Sequence, residues 1–374
     1  MDKRFQQHFD AYIGEPWILP SGQNADIIFG RHTISLTSES TWYSFVVDDV
    51  DLAKRLFRGD DAKAVEAMLK SSSTIAATTT VDVAREAAFL RQCLAPHPTT
   101  KLSLTYGWHN ITSDRGLSDG MRMSLYLALL RIYSVYDQHA FLLPRNRSES
   151  WYTTELWGFL PALLVHGGVL AHQSAEVTSA ASTLRKNRNR GCPKHESRPQ
   201  RRRLLGCKVD GLISCAVTAG ATISLGMPFG FELAAMEAGK VSDLSSTKCL
   251  SDTKRLAKVA KDMHDAIMSR VTNSSNRHRL ATYALQISGR IMTLYRLVKL
   301  PGRYYVMVLD GVLEFPLVWD SEKLINLLVR LVQQKREMEH MATCVQAWVG
   351  ADNFAMKAPL VHTFPTPPST PLHD

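Results

Sequence analysis

Asp210 stands in GCKVDGLISC (206–215), one acid inside an otherwise apolar run. Taking a carboxylate out of water on a buried strand is costly unless a cation or hydrogen-bond donors compensate, so this acid asks for a partner. Further along, Glu237 occupies a similar place at the end of the apolar run in FGFELAAMEAGK, with Glu232 earlier in the same run. Two strands of a hairpin would bring Asp210 and Glu237 side by side, where unpaired carboxylates repel. A divalent cation removes that conflict. Mg²⁺ takes one or two carboxylates together with waters and phosphate oxygens, which is the inner shell of a phosphodiesterase site. A lysine two residues beyond the second acid would project from the same strand face and orient or activate the attacking water. Here that position is Gly239, and Lys240 follows one step later, where strand alternation turns it to the other face unless a bulge intervenes. Lys208, two residues before Asp210, and the i, i+4, i+7 series Lys254, Lys258 and Lys261 are candidate substitutes, the helical series reading otherwise as a solvated face. Gln286, in ALQISG, adds a polar group to a later strand. Each acid also has a structural alternative: Asp210 capping a strand end or paired with Arg203 or Lys208, and Glu237 paired with Lys240.

Other chemistries find no support in the spacing. The histidines form no HxxxH or HxH pair, and the six cysteines form no CxxC, which argues against a zinc site and a disulfide framework. Neither GxxxxGK[ST] nor GxGxxG occurs, and GWHNITS and GMPFG match no nucleophile elbow.

The elements that must position these residues can be read from periodicity. SFVVDDV (44–50) reads as a strand ending in acids, and DDAKAVEAML and TVDVAREAAFLRQCL as helices, with Thr79 as a candidate cap for the second. SDGMRMSLYLALLRIYSVY reads as a helix capped by Ser118, with Met121, Leu125, Ala128, Leu129 and Ile132 on one face. From about residue 149 the order changes. ESWYTTELWGFLPALL is expected to be helical up to Pro161, and GGVLAHQSAEVTSAAS to hold a strand and a helix entry. Strands follow over 207–218 and about 221–238, with Ala219-Gly220 as the turn. SDTKRLAKVAKDMHDAIMSRV is an amphipathic helix with Leu256, Val259, Ala260, Met263 and Ile267 inward. ATYALQISGRIMTLYRLVKL and RYYVMVLDGVLEFPLVW give two or three antiparallel strands, and SEKLINLLVRLVQQKREMEHM a final helix. The proline-rich end, 349–374, reads as disordered.

The 374 residues carry a net charge of +9, with 45% hydrophobic and 21% charged residues, the proportions of a soluble globular protein. Nearly all of the excess lies in RKNRNRGCPKHESRPQRRR (185–203), where nine Lys or Arg face one acid. Broken by Gly191, Pro193 and Pro199, this run reads as a basic mobile loop over 184–205. Its Arg185, Lys186, Arg188, Arg190, Arg201, Arg202 and Arg203 are candidate contacts for nucleic acid phosphates, and its two basic clusters have the form of a bipartite nuclear import signal. The amino terminus has no apolar stretch of signal-peptide type, so an intracellular place is expected, and the import-like clusters add a nuclear one as an expectation. The most apolar window, 211–231, is rich in Gly, Ser, Thr and Pro, so paired strands are expected there and no membrane partner.

The order of elements, the VDG acid, the later EAGK and the helix DTKRLAKVAKDMHDAI together resemble the PD-(D/E)XK (restriction-endonuclease-like) nuclease core of an uncharacterised protein family of mucoralean fungi. WILPSGQNADIIF, SFVVDDVD, SESWYTTELW, EVTSAASTLRKNRNR and YALQISGRIMTLYRL extend the resemblance over most of the chain. It implies an α/β (α+β) fold with a PD-(D/E)XK nuclease-like mixed sheet flanked by helices over 149–348, and an additional family-specific mixed α/β region over 1–148. It implies that Asp210 and Glu237 bind Mg²⁺, that Lys240 or a substitute handles the water, and that Glu176 supports the site as the acid on the helix before the sheet. Two functions follow from it as expectations: a metal-dependent nuclease, or a catalytically degenerate fold that binds nucleic acid or a protein partner without hydrolysis.

Overall fold

The computed structural model describes residues 9–10, 15–36, 40–48, 50–77, 83–94, 118–139, 147–165, 169–187, 205–215, 230–239, 245–271, 276 and 279–349. Among them the strands form one mixed seven-stranded sheet: β1 (Val46–Val47), β2 (Leu170–Thr178), β3 (Lys208–Cys215), β4 (Phe231–Gly239), β5 (Ala281–Ser288), β6 (Ile291–Lys299) and β7 (Tyr305–Glu314). Their spatial order is β1-β7-β6-β5-β4-β3-β2. The pairs β4–β5 and β1–β7 are parallel, and the others antiparallel. A parallel pair requires a crossover, and between β4 and β5 it is a long helix. The α/β class and the mixed, helix-flanked sheet expected from the sequence are therefore present.

The described helices are α1 (Ala25–Ser35), α2 (Val50–Arg55), α3 (Gly59–Ala77), α4 (Ala84–Leu94), α5 (Asp119–His139), α6 (Leu160–Val165), α7 (Ala180–Asn187), α8 (Thr247–Met268) and α9 (Ser321–Val349). Ahead of α6, a short α turn, Glu149–Trp151, continues as a π turn, Tyr152–Leu156. Pro161 does not end a helix, as expected, but sits at the second residue of α6, where its missing N–H costs nothing. The Oγ of Ser118 accepts the Met121 amide at the start of α5, whose predicted inward face is buried throughout.

One face of the sheet packs on α8, whose Leu256, Val259, Ala260 and Met263 join Leu212, Ala235, Ala284 and Leu297 in a compact cluster. The larger cluster joins strand residues such as Leu233, Tyr283 and Leu294 to α4, α5, α6 and α9 and reaches Trp17, Phe29 and Trp42. It runs without a break across residues 148 and 149, and β1 extends the sheet edge, so the amino-terminal region packs directly on the rest. The candidate turn Ala219-Gly220, the cap Thr79 and the carboxy-terminal 350–374 lie outside the described residues. No described helix is long and apolar enough to cross a membrane.

Candidate functional site

The site lies where β4 and β5 both end and α8 begins. Gly211 pairs with Met236 in the antiparallel β3–β4 ladder, so Asp210 stands across from Glu237. The two acids named from sequence are neighbours on the face that looks at α8. Asp210 Oδ2 accepts the Ala238 amide at 2.7 Å, and its other oxygen has no hydrogen-bond partner among the described residues. Glu237 is buried, and both its oxygens are met by one nitrogen, Nη1 of Arg255 on α8, at 3.1 and 3.2 Å.

The first turn of α8 brings further charge. Ser246 caps it through the Cys249 amide, and Gln286 of β5 ties it to the sheet by donating to the Cys249 carbonyl at 2.7 Å and accepting from Thr253 Oγ1 at 2.9 Å. Lys248 on this turn donates to the Ala238 carbonyl at 3.0 Å, and its Nζ lies 2.5 Å from Glu149 Oε2 and 3.8 Å from Asp252 Oδ2. Four carboxylates (Glu149, Asp210, Glu237 and Asp252) thus gather round two cations, Lys248 and Arg255.

That excess of acid shows in the titration of the group. Burial pushes the Glu237 carboxyl up to about 8; Arg255 works against this, while Asp210 and Asp252 add to it. Burial raises Asp252 as well, with Lys248 and Arg255 opposing. Burial disfavours the charged form of Lys248, but Glu149, Asp252 and Asp210 outweigh it and hold its pKa above the ordinary lysine value.

Glu176 is not a helix residue. It sits on β2 in a bulge between Ser174 and Val177, with φ of 48°, because the alternating run LAHQSAEV pairs with β3 and α7 starts only after Ser179. Its exposed side chain reaches Lys208 Nζ at 3.1 Å, which also commits that substitute lysine elsewhere. The acid that reaches the site from a helix ahead of the sheet is Glu149. Glu232 stays out of the site and closes the amino end of α7 instead, accepting from Ser179 Oγ, Ala180 N and Ala181 N.

Lys240 lies outside the described residues, as do Arg188, Arg190, Arg201, Arg202 and Arg203. Of the basic run, Arg185 and Lys186 are helical, because α7 continues to Asn187. Arg185 turns inward onto Asp262 at 2.7 Å, and Lys186 donates to the Leu205 carbonyl. Nor is the lysine series on α8 a solvated stripe: Lys261 is fully buried and paired with Asp265 at 2.8 Å. Lys248 lies close to the place expected for a lysine at position 239. A Cβ built on Gly239, the position where the spacing argument wants a lysine, would lie 3.8 Å from Lys248 Nζ and 3.9 Å from Asp252 Oδ2.

Among the described residues no group of three or more His, Cys, Asp or Glu is placed to hold a metal ion. The strand pair Asp210 and Glu237 offers two oxygen donors of the kind a hard divalent cation accepts beside water and phosphate oxygens. A cationic nitrogen already occupies the chelating position on Glu237. In donor chemistry the site therefore fits Mg²⁺. No family model, curated protein or solved structure matches the chain.

Proposed function

We propose that the chain is a metal-dependent phosphodiester hydrolase acting on nucleic acid, with Asp210 and Glu237 as the metal ligands. The observation that carries this reading is the convergence of the two strand acids with the Lys248 ammonium at the ends of β4 and β5. A divalent ion held there would supply Lewis-acid stabilisation of phosphate charge and lower the pKa of a bound water. The chain's own residues do the rest. Asp210 and Glu237 fix the ion on one strand face, Asp210 being held in place by the Ala238 amide. Lys248, kept charged by Glu149 and Asp252, orients the attacking water and stabilises negative charge on the phosphate oxygens. Glu149 takes the supporting part that the resemblance assigns to a helix acid. The basic run after Asn187, with Arg188, Arg190 and Arg201 to Arg203, supplies phosphate contacts that hold the strand.

The test is cleavage of labelled single- and double-stranded DNA and RNA by the full chain with Mg²⁺, Mn²⁺ or EDTA. Metal-dependent cleavage should fall at least about a hundredfold in a variant carrying Asp210→Ala and Glu237→Ala. Binding of nucleic acid without cleavage by folded wild-type protein in every arm would instead favour a catalytically degenerate binding module.

A further inference from the structure

Arg255 does more than neutralise a buried acid. A surface arginine usually meets a carboxylate as a fork, two nitrogens on two oxygens. Here a single nitrogen, Nη1, sits almost equidistant from both oxygens of Glu237, at 3.1 and 3.2 Å, and the same nitrogen is 4.0 Å from Asp252 Oδ1. That is the position a cation takes when one carboxylate chelates it. The partners also differ in freedom. The Glu237 side chain is only 4% exposed and fixed on β4, whereas that of Arg255 is 47% exposed, at the rim of the site. Of the two, Arg255 is the one that can leave.

We propose that Arg255 is a resident placeholder cation, which holds Glu237 in the metal-free protein and yields it to a divalent ion. This rests on the metal-site reading given above. Ligand exchange at Glu237 breaks the two Nη1 contacts, releases to solvent whatever proton the carboxyl still carries, and lets the guanidinium turn outward. Divalent-ion affinity is then set by competition, because the ion must displace Arg255 before it gains both oxygens of Glu237.

Isothermal calorimetry of Mn²⁺ into full-length wild type, Arg255→Gln and Glu237→Gln at pH 8 tests the exchange. Arg255→Gln should bind Mn²⁺ about tenfold more tightly than wild type, and Glu237→Gln should lose the binding. A residue with a purely structural part would give equal or weaker binding on substitution, and that result overturns the placeholder while leaving the metal site standing. If no protein binds Mn²⁺, the metal site falls as well. A second measurement needs no substitution. The rate of phenylglyoxal modification at Arg255, followed by peptide mass spectrometry on wild type, should rise several-fold with saturating Mn²⁺. An unchanged rate overturns the exchange.

Discussion

At the scale of single residues, Asp210 is explained by what it touches. It bridges two strands through the Ala238 amide and stands across from Glu237, so it serves the sheet and the site together. In the proposed hydrolysis, cleavage depends most on Lys248. Lys248→Ala should lower metal-dependent cleavage about a hundredfold or more, the usual contribution of one preorganised charge-stabilising donor. Lys208→Ala should leave cleavage unchanged, since Lys208 spends its charge on Glu176. Because a side chain at Gly239 would point at the space that Lys248 Nζ fills, Gly239→Lys combined with Lys248→Ala should recover part of the lost rate in the same cleavage assay. Full activity of Lys248→Ala would remove Lys248 from the proposed site. Asp210 and Glu237 were legible from their places in apolar runs. Lys248 and Glu149 were not, because their approach is tertiary: Glu149 is brought in from a helix far upstream in the chain.

At the scale of elements, the site depends on where α8 starts. The apolar face begins at Leu256, and Ser251-Asp252 is a plausible start by sequence, yet the cap is Ser246, a full turn earlier. That extra turn carries Lys248 and Cys249, the residues that meet Glu149 and Gln286. Two capping signals so close together cannot be ranked by propensity alone, whereas the Gln286 anchor on β5 decides between them. A different element fixes the sheet to the amino-terminal region. Asp26 on α1 accepts the amides of Trp17 and Arg303, clamping the β6–β7 turn, and burial raises its pKa. Gly302 in that turn has φ of 81°, and a Cβ there would lie 2.4 Å from the Asp26 carboxylate oxygens. Gly302→Ala should therefore cost about 2–4 kcal/mol, through backbone strain and the clash. Thermal unfolding measures it, and a melting temperature equal to that of wild type would show that the clamp is slack.

At the scale of the whole molecule, the periodicities predicted antiparallel strands over β5–β7 and the two long helices, while the mixed sheet was what the resemblance implied. The same periodicities could not reveal that β1 pairs with β7, a two-residue contact between segments more than two hundred residues apart. They also hid the polar interior on the α8 side, where Lys261, Asp265 and Tyr305 satisfy one another and burial drives the His264 pKa down to about 3. A lysine in a helical series reads as a solvated face, and only packing against β7 shows otherwise. One end of the sheet collects acids and cations from β3, β4, α8 and the turn at Glu149. The measurement that tests this most directly is the anomalous diffraction of crystals of the full chain soaked in Mn²⁺. A peak is expected between the Asp210 and Glu237 carboxylates, with Arg255 turned away from Glu237; an empty map there, with Arg255 Nη1 still on both Glu237 oxygens, would contradict the metal site.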